Sequence, residues 1–160
     1  MMAFLKRRVL DPIIALLRQG VTPERIALSL SFGLVLGVFP VLGTTTVLVT
    51  VAALLWRLNL AAIHAVHLAM TPVQIVLIIP FVRLGEHLVA VPPQPLSVEA
   101  GMALIASGAA HAIVVLRDAI AHAVLGWLLL GPIAIYVLYR ALVPVLERAA
   151  RRPPRGATTS

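Results

Sequence analysis

From Ile26 to Trp56 the chain runs for thirty-one residues without one ionisable side chain, and Phe39-Pro40-Val41-Leu42-Gly43 interrupts the run near its middle. The whole is too long for an ordinary soluble helix, yet each half is shorter than the roughly 17 to 25 residues that cross a bilayer. A helix broken inside an apolar layer satisfies both facts. Non-helical backbone survives at that depth only where protein or a wet cavity meets its N–H and C=O groups, so a site is expected first at the break.

Composition agrees, with 61% hydrophobic and 12% charged residues against the usual proportions of about 45 to 50% and about 25%. The expectation is an all-α, polytopic membrane helix bundle forming a single integral membrane domain over 1–150, with a basic, disordered tail over 151–160. Lys6, Arg7, Arg8, Arg18 and Arg25 precede the first apolar run, and Arg140, Arg148, Arg151, Arg152 and Arg155 follow the last. Basic flanks stay in the cytoplasm, which predicts two cytoplasmic termini and an even number of complete crossings. The net charge of +7 is assigned to anionic lipid headgroups and not to nucleic acid. The chain holds no cysteine, which excludes disulfides, thiolate nucleophiles and thiolate-bound metals. Asp11-Pro12 cuts the N-terminal apolar stretch and no small-residue cleavage site follows, so the N-terminus reads as retained.

Asp11-Pro12 starts a short helix expected to reach Gln19 and to lie in the membrane interface or to cap the bundle. Thr22-Pro23-Glu24 repeats the start signature and predicts a helix from Pro23 to about Phe39. Gly33 and Gly37, four apart, give that helix a small face for close packing. A threonine of Thr44-Thr45-Thr46 caps a second helix running to Trp56, which sits beside Arg57 as an interfacial anchor. Thr71-Pro72 splits the apolar run from Leu58 to Val82 either into two half-helices, giving a second broken or re-entrant element, or into one kinked span. These segments form a broken-helix core over 21–88. A proline-rich linker over 91–96 separates it from C-terminal helices over 97–146, interrupted at Arg117-Asp118, of which Ala119 to Tyr139 is a transmembrane helix.

Chemistry is expected at the breaks. Two half-helix N-termini, at Thr44 to Thr46 and at Thr71-Pro72, would each expose unpaired amides and partial positive charge, and aimed at one point they would bind an anion such as phosphate. With Pro40 and Gly43 shaping the first break, Arg57 and Arg83 would supply charge and Asn59 an amide donor. Alternatively both arginines reach the headgroups as anchors, with Glu86 the i,i+3 partner of Arg83. His64 and His67 share a helical face, while His87, His111 and His122 are scattered. No metal-ligand spacing joins them, so no metal or other cofactor is expected, and proton relay is their better functional reading. Paired carboxylates in a cleft, a Ser-His-Asp order and a glycine-rich nucleotide loop are all missing, which argues against an enzyme.

The run Pro23-Glu24-Arg25-Ile26-Ala27, then Gly33-x-x-x-Gly37-x-x-Pro40-x-x-Gly43-x-x-Thr46, Arg57-x-Asn59, Thr71-Pro72, Pro80 and Arg83-x-Gly85 resembles the bacterial membrane family known as domain of unknown function 2062. The likeness covers Val21 to Leu88 and extends more loosely to the C-terminal helix. Members often carry Gln where Thr45 stands and Asn-Pro where Thr71-Pro72 stands, so this chain departs from the pattern at two amides. Some relatives are fused to glycosyltransferases that use polyprenyl phosphate, and the resemblance therefore implies a place near lipid-linked sugar metabolism. The expected function is binding or translocation of an anionic lipid such as polyprenyl phosphate. The alternatives are a scaffold that anchors a glycosyltransferase through Gly33 and Gly37, and a small-solute or ion channel. A homo-oligomer is expected, because so short a chain has little protein with which to shield broken helices.

Overall fold

The computed structural model describes residues 21–41, 43–94, 106 and 109–151. Helix α1 spans Pro23–Gly37, α2 Thr45–Leu55, α3 Leu60–Leu88 and α4 Ala109–Ala150, with no strand among the described residues. The all-α architecture is as expected. The expected interfacial helix over Asp11 to Gln19, the basic tail beyond Arg151 and most of the segment between Ser97 and Gly108 lie outside the described residues.

Local chemistry sets each boundary. The Thr22 hydroxyl caps α1 by accepting from the Arg25 amide, with Pro23 and Glu24 in the first turn. The helix stops at Gly37, two residues short of the expected Phe39, because a residue preceding proline is driven out of the helical region. Gly43 then turns the chain with φ +84°, a conformation that costs glycine nothing. Asn59 caps α3, its Oδ1 accepting from the Ala62 amide at 2.9 Å. Helices α2 and α3 both end with a left-handed residue, Arg57 at φ 50° and Ala90 at φ 55°. Each is followed by a bond back into the last turn, Leu58 N to Ala53 O at 2.8 Å and Val91 N to Glu86 O at 3.1 Å, the pattern of a Schellman stop.

Two sequence expectations need correction. Thr71 and Pro72 lie inside the 29-residue helix α3, together with Pro80, so the second apolar run is one continuous helix and not two half-helices. Packing from α1 and α4 supports it on both sides of the prolines, and in apolar surroundings such support outweighs the lost backbone bonds. Likewise Arg117 and Asp118 do not interrupt the last helix, since they pair with each other at 2.9 Å on its surface and α4 runs through them.

Directions follow from pairs of contacts. Ser29 Oγ accepts from Asn59 N at 2.9 Å, and a Cβ added at Gly33 or Gly37 would press on Ile63 or on His67 and Met70. Helices α1 and α3 therefore run parallel. Between them α2 runs back, because Phe32 packs on Trp56 with ring centroids 5.0 Å apart and Thr46 and Thr50 face His67 and His64 in reverse order. So α1 and α2 form a hairpin that enters and leaves at one end of the bundle. Helix α4 is antiparallel to α3, with Gly85 crossing His122 and Gly126 crossing Phe81, and its C-terminal half returns to the start of α1, where Leu146 packs with Ile26, Ala27 and Leu30. At Gly33, Gly37, Gly85 and Gly126 an added Cβ would meet a neighbouring helix, and such close approach is what holds helices together where no water drives association. The small face of Gly33 and Gly37 does pack, but within the chain against α3.

Helix α3 and the segment Val114–Ala150 of α4 are long and apolar enough to cross a membrane, with only 28% and 22% of their most apolar windows buried inside the protein. Trp56, Arg57, Tyr139 and Arg140 mark the near end, while Arg83, Glu86, Arg117 and Asp118 mark the far end. The 11 residues of α2 span about 16 Å at 1.5 Å each. That is about half the ~30 Å thickness of a bilayer's apolar core.

Backbone acceptors freed by the break need donors where they are buried, and three receive them from side chains. Trp127 Nε1 donates to Val35 O at 3.1 Å, Gln74 Nε2 to Phe39 O at 2.6 Å and Thr44 Oγ1 to Val41 O at 2.9 Å. Gln74 is 3% exposed, so no solvent replaces it. Gln74→Leu is expected to destabilise the fold by about 1 to 3 kcal/mol, the cost of an unpaired buried carbonyl. Denaturation of both proteins in the same detergent checks this.

Candidate functional site

At the hairpin tip Val35 O, Phe39 O and Val41 O each have a side-chain donor, whereas the start of α2 has no side-chain acceptor. The Thr44 hydroxyl bonds backwards to Val41 O, so α2 begins with no side-chain cap, and the first internal bond is Leu48 N to Thr44 O at 3.0 Å. The first-turn amides of Thr45, Thr46 and Val47 precede that bond, and they carry the positive end of the helix dipole. Thr44 and Thr46 are exposed, Thr45 is buried, and a Cβ at Gly43 would meet open space. Pro40 is buried beneath the turn.

Beside these amides lies a polar seam between α2 and α3. Thr46 Oγ1 is 3.2 Å from His67 Nε2, and one turn nearer the entrance Thr50 Oγ1 is 3.2 Å from His64 Nε2. His67, Thr71 and Gln74 recur at i, i+4 and i+7, which places them on one stripe of α3. Thr71 thus lies exposed on that stripe inside α3 and is not a helix N-terminus. His67 is 3% exposed and its Nδ1 has no hydrogen-bond partner.

The structure does not gather the other expected residues here. Arg57 and Asn59 follow the far end of α2 from Thr44, about 16 Å away by helix rise. Arg83 lies 24 residues beyond Asn59 on the same helix, about 36 Å by the same rise, and it is bound to Glu86 at 2.9 Å. No single headgroup can touch both arginines. Asn59 also spends its carbonyl on capping α3 and its backbone amide on Ser29. Glu86 is 2% exposed and accepts from both Arg83 and the Gln94 amide, which ties the start of the proline-rich linker to the end of α3. Among the described residues no three His, Asp or Glu side chains group as metal ligands.

Sequence reasoning missed Gln74, Trp127 and the pairing of each histidine with a threonine. The signal for Gln74 was present, an amide standing alone between Val73 and Ile75.

The molecule is thus a small all-α protein with two helices of spanning length and a helical hairpin that turns back inside its apolar zone. The chain belongs to the family described as uncharacterized protein conserved in bacteria (DUF2062), whose model matches residues 6–153. No curated protein and no solved structure matches it.

Arg57 holds a left-handed conformation that costs a non-glycine residue about 1 to 2 kcal/mol. Arg57→Gly is expected to raise stability by about 1 kcal/mol, whereas Arg57→Ala keeps the strain and gains nothing. Equal unfolding midpoints for the two variants would show that the backbone there is unstrained.

Proposed function

We propose that this protein is integral to a bacterial inner membrane and binds the phosphate headgroup of an anionic lipid at the tip of its hairpin, as a step in translocating that lipid. The observation that carries the reading is the uncapped start of α2, set halfway down the apolar zone with Thr44 and Thr46 exposed and His67 alongside. Such a terminus stabilises negative charge by dipole and amide hydrogen bonds together, and it is the arrangement by which transporters with broken helices hold anionic substrates. Arg57 at the entrance concentrates anionic headgroups near the hairpin and does not touch them at the tip. The resemblance to proteins fused with polyprenyl-phosphate-using glycosyltransferases makes polyprenyl phosphate the first lipid to try. The scaffold reading is weaker, because Gly33 and Gly37, its proposed contact face, are already used against α3.

Thr44→Asp tests the site, since its carboxylate would cap α2 and occupy the anion position; because the bond to Val41 O is lost with the hydroxyl, its unfolding midpoint is measured beside wild type so that lost binding and lost fold are told apart. Native mass spectrometry of gently extracted protein is expected to show a phosphorylated lipid retained by wild type and depleted at least about tenfold in Thr44→Asp, a difference of 1.4 kcal/mol. Equal retention of bulk phospholipid by both would end the headgroup reading and put the scaffold first.

Orientation is supported by the positive-inside rule. Arg25, Arg57, Arg140, Arg148 and Arg151 belong to the near end, whereas the far-end arginines Arg83 and Arg117 are each paired with an acid. Because the chain lacks cysteine, Arg57→Cys and His87→Cys give single labelling sites. An impermeant thiol reagent is expected to label the first from the cytoplasm and the second from outside. Labelling of both from one side would refute a crossing by α3.

A further inference from the structure

We propose that Arg25 and Arg57 together clasp the phosphate of an anionic lipid at the near end of the bundle. This site is separate from the hairpin tip, which lies about 16 Å from Arg57 along α2, and it stands or falls without it.

The two arginines are far apart in sequence, and the fold brings them to one corner. Arg25, Ser29 and Phe32 recur at i, i+4 and i+7, which places them on one stripe of α1. That stripe meets the turn between α2 and α3. Ser29 Oγ accepts from Asn59 N at 2.9 Å, and Phe32 packs on Trp56 with ring centroids 5.0 Å apart. Ser29 Oγ also donates to Arg25 O at 2.7 Å, so a single hydroxyl links the backbone of Arg25 to the amide two residues past Arg57. Helical side chains lean towards the helix N-terminus, which carries Arg25 towards the near surface where Arg57 stands. Both are exposed.

Each arginine breaks a local rule. Arg57 is left-handed at φ 50°, where glycine would be at ease, and an outlier of this kind points to work for its side chain. Arg25 stands in the first turn of α1, where the helix dipole disfavours a cation, and Glu24, one residue earlier, points about 100° away round the helix. Among the described residues the ion pairs are Arg83 with Glu86 and Arg117 with Asp118, so among them no acid neutralises Arg25 or Arg57. The phosphodiester of a lipid headgroup shares its charge between two oxygens, and an arginine fork meets two oxygens at once. Trp56, 55% exposed, lays its ring beside them at the depth where acyl chains begin. Two forks and an interfacial ring favour a lipid phosphate over a soluble anion.

The test uses the full chain in nanodiscs of phosphatidylcholine with a rising share of phosphatidylglycerol brominated on its acyl chains. It reads quenching of the Trp56 fluorescence, taken as the part that Trp56→Phe removes. Wild type is expected to hold phosphatidylglycerol at Trp56 about tenfold above its share of the bilayer, the worth of one charge-assisted hydrogen bond. Arg25→Gln and Arg57→Gln are each expected to remove most of that preference and the double variant little more, because a phosphate that has lost either fork is already released. Arg57→Gly is expected to be more stable than wild type and still lose the preference, so that the loss is not one of fold. Arg148→Gln, next to Leu146 on the Ile26 and Leu30 face of α1, and Thr44→Asp at the tip are expected to keep it. No preference in wild type would overturn the proposal. So would effects that multiply in the double variant, which mean two separate anchors, or an equal loss in Arg148→Gln, which means a diffuse basic surface. Millimolar inorganic phosphate at fixed ionic strength is expected to change nothing, and if it erases the preference the ligand is a soluble anion and the lipid assignment fails.

Discussion

A helix that stops inside an apolar layer exposes backbone groups that water cannot reach, and the way this chain satisfies them governs the rest of its structure. An unmet amide or carbonyl there costs several kcal/mol. The hairpin tip is therefore built around three donors drawn from three helices: Trp127 of α4 to Val35 O, Gln74 of α3 to Phe39 O and Thr44 to Val41 O. Helix α3 is fixed in register by the second bond and α4 by the first, with Phe39 closing edge-on against Trp127 at 5.0 Å. These three acceptors are met by side chains, while the start of α2 carries no side-chain cap. The positive end of the α2 dipole stands at the same turn.

Much of this was legible in the residues. Pro40 and Gly43 announce the break, since one forbids the helical bond and the other permits the turn. Gly33 and Gly37 announce a close helix neighbour. Thr22-Pro23 and Thr71-Pro72 look alike as start signals, however, and only the first begins a helix. What separates them is context that spacing does not carry. Val21 and Thr22 follow no helix among the described residues, whereas Thr71 already lies twelve residues into a helix capped by Asn59 and packed on both sides.

The break was legible, but the arrangement around it was not. A threonine was expected to cap the helix after the proline break, and α2 instead begins without a side-chain cap, because the Thr44 hydroxyl turns back to Val41 O. Placing Arg57 and Arg83 beside them needed the direction of α2 and α3, and that direction is set by contacts such as Ser29 with Asn59, 30 residues apart, and Trp127 with Val35, 92 apart. Local pattern holds no record of pairs so distant. The histidines were seen as a stripe, but their threonine partners lie on another helix and became visible only when α2 folded back.

The direction of α2 also decides which half of the bundle its first turn faces. Because α2 runs from the tip towards the near end, its first-turn amides point away from the near surface and into the far half of the apolar zone. Helices α1 and α2 fill only the near half. In the far half the described residues leave α3 and α4 alone, pressed together at Gly85 and Gly126, with Ile75, Val76 and Ile79 of α3 exposed. Open apolar helix therefore borders the tip on the far side, while on the near side the Thr46, His67, Thr50 and His64 seam runs back towards the entrance. One side offers hydrocarbon contact and the other a ladder of hydrogen-bonding groups.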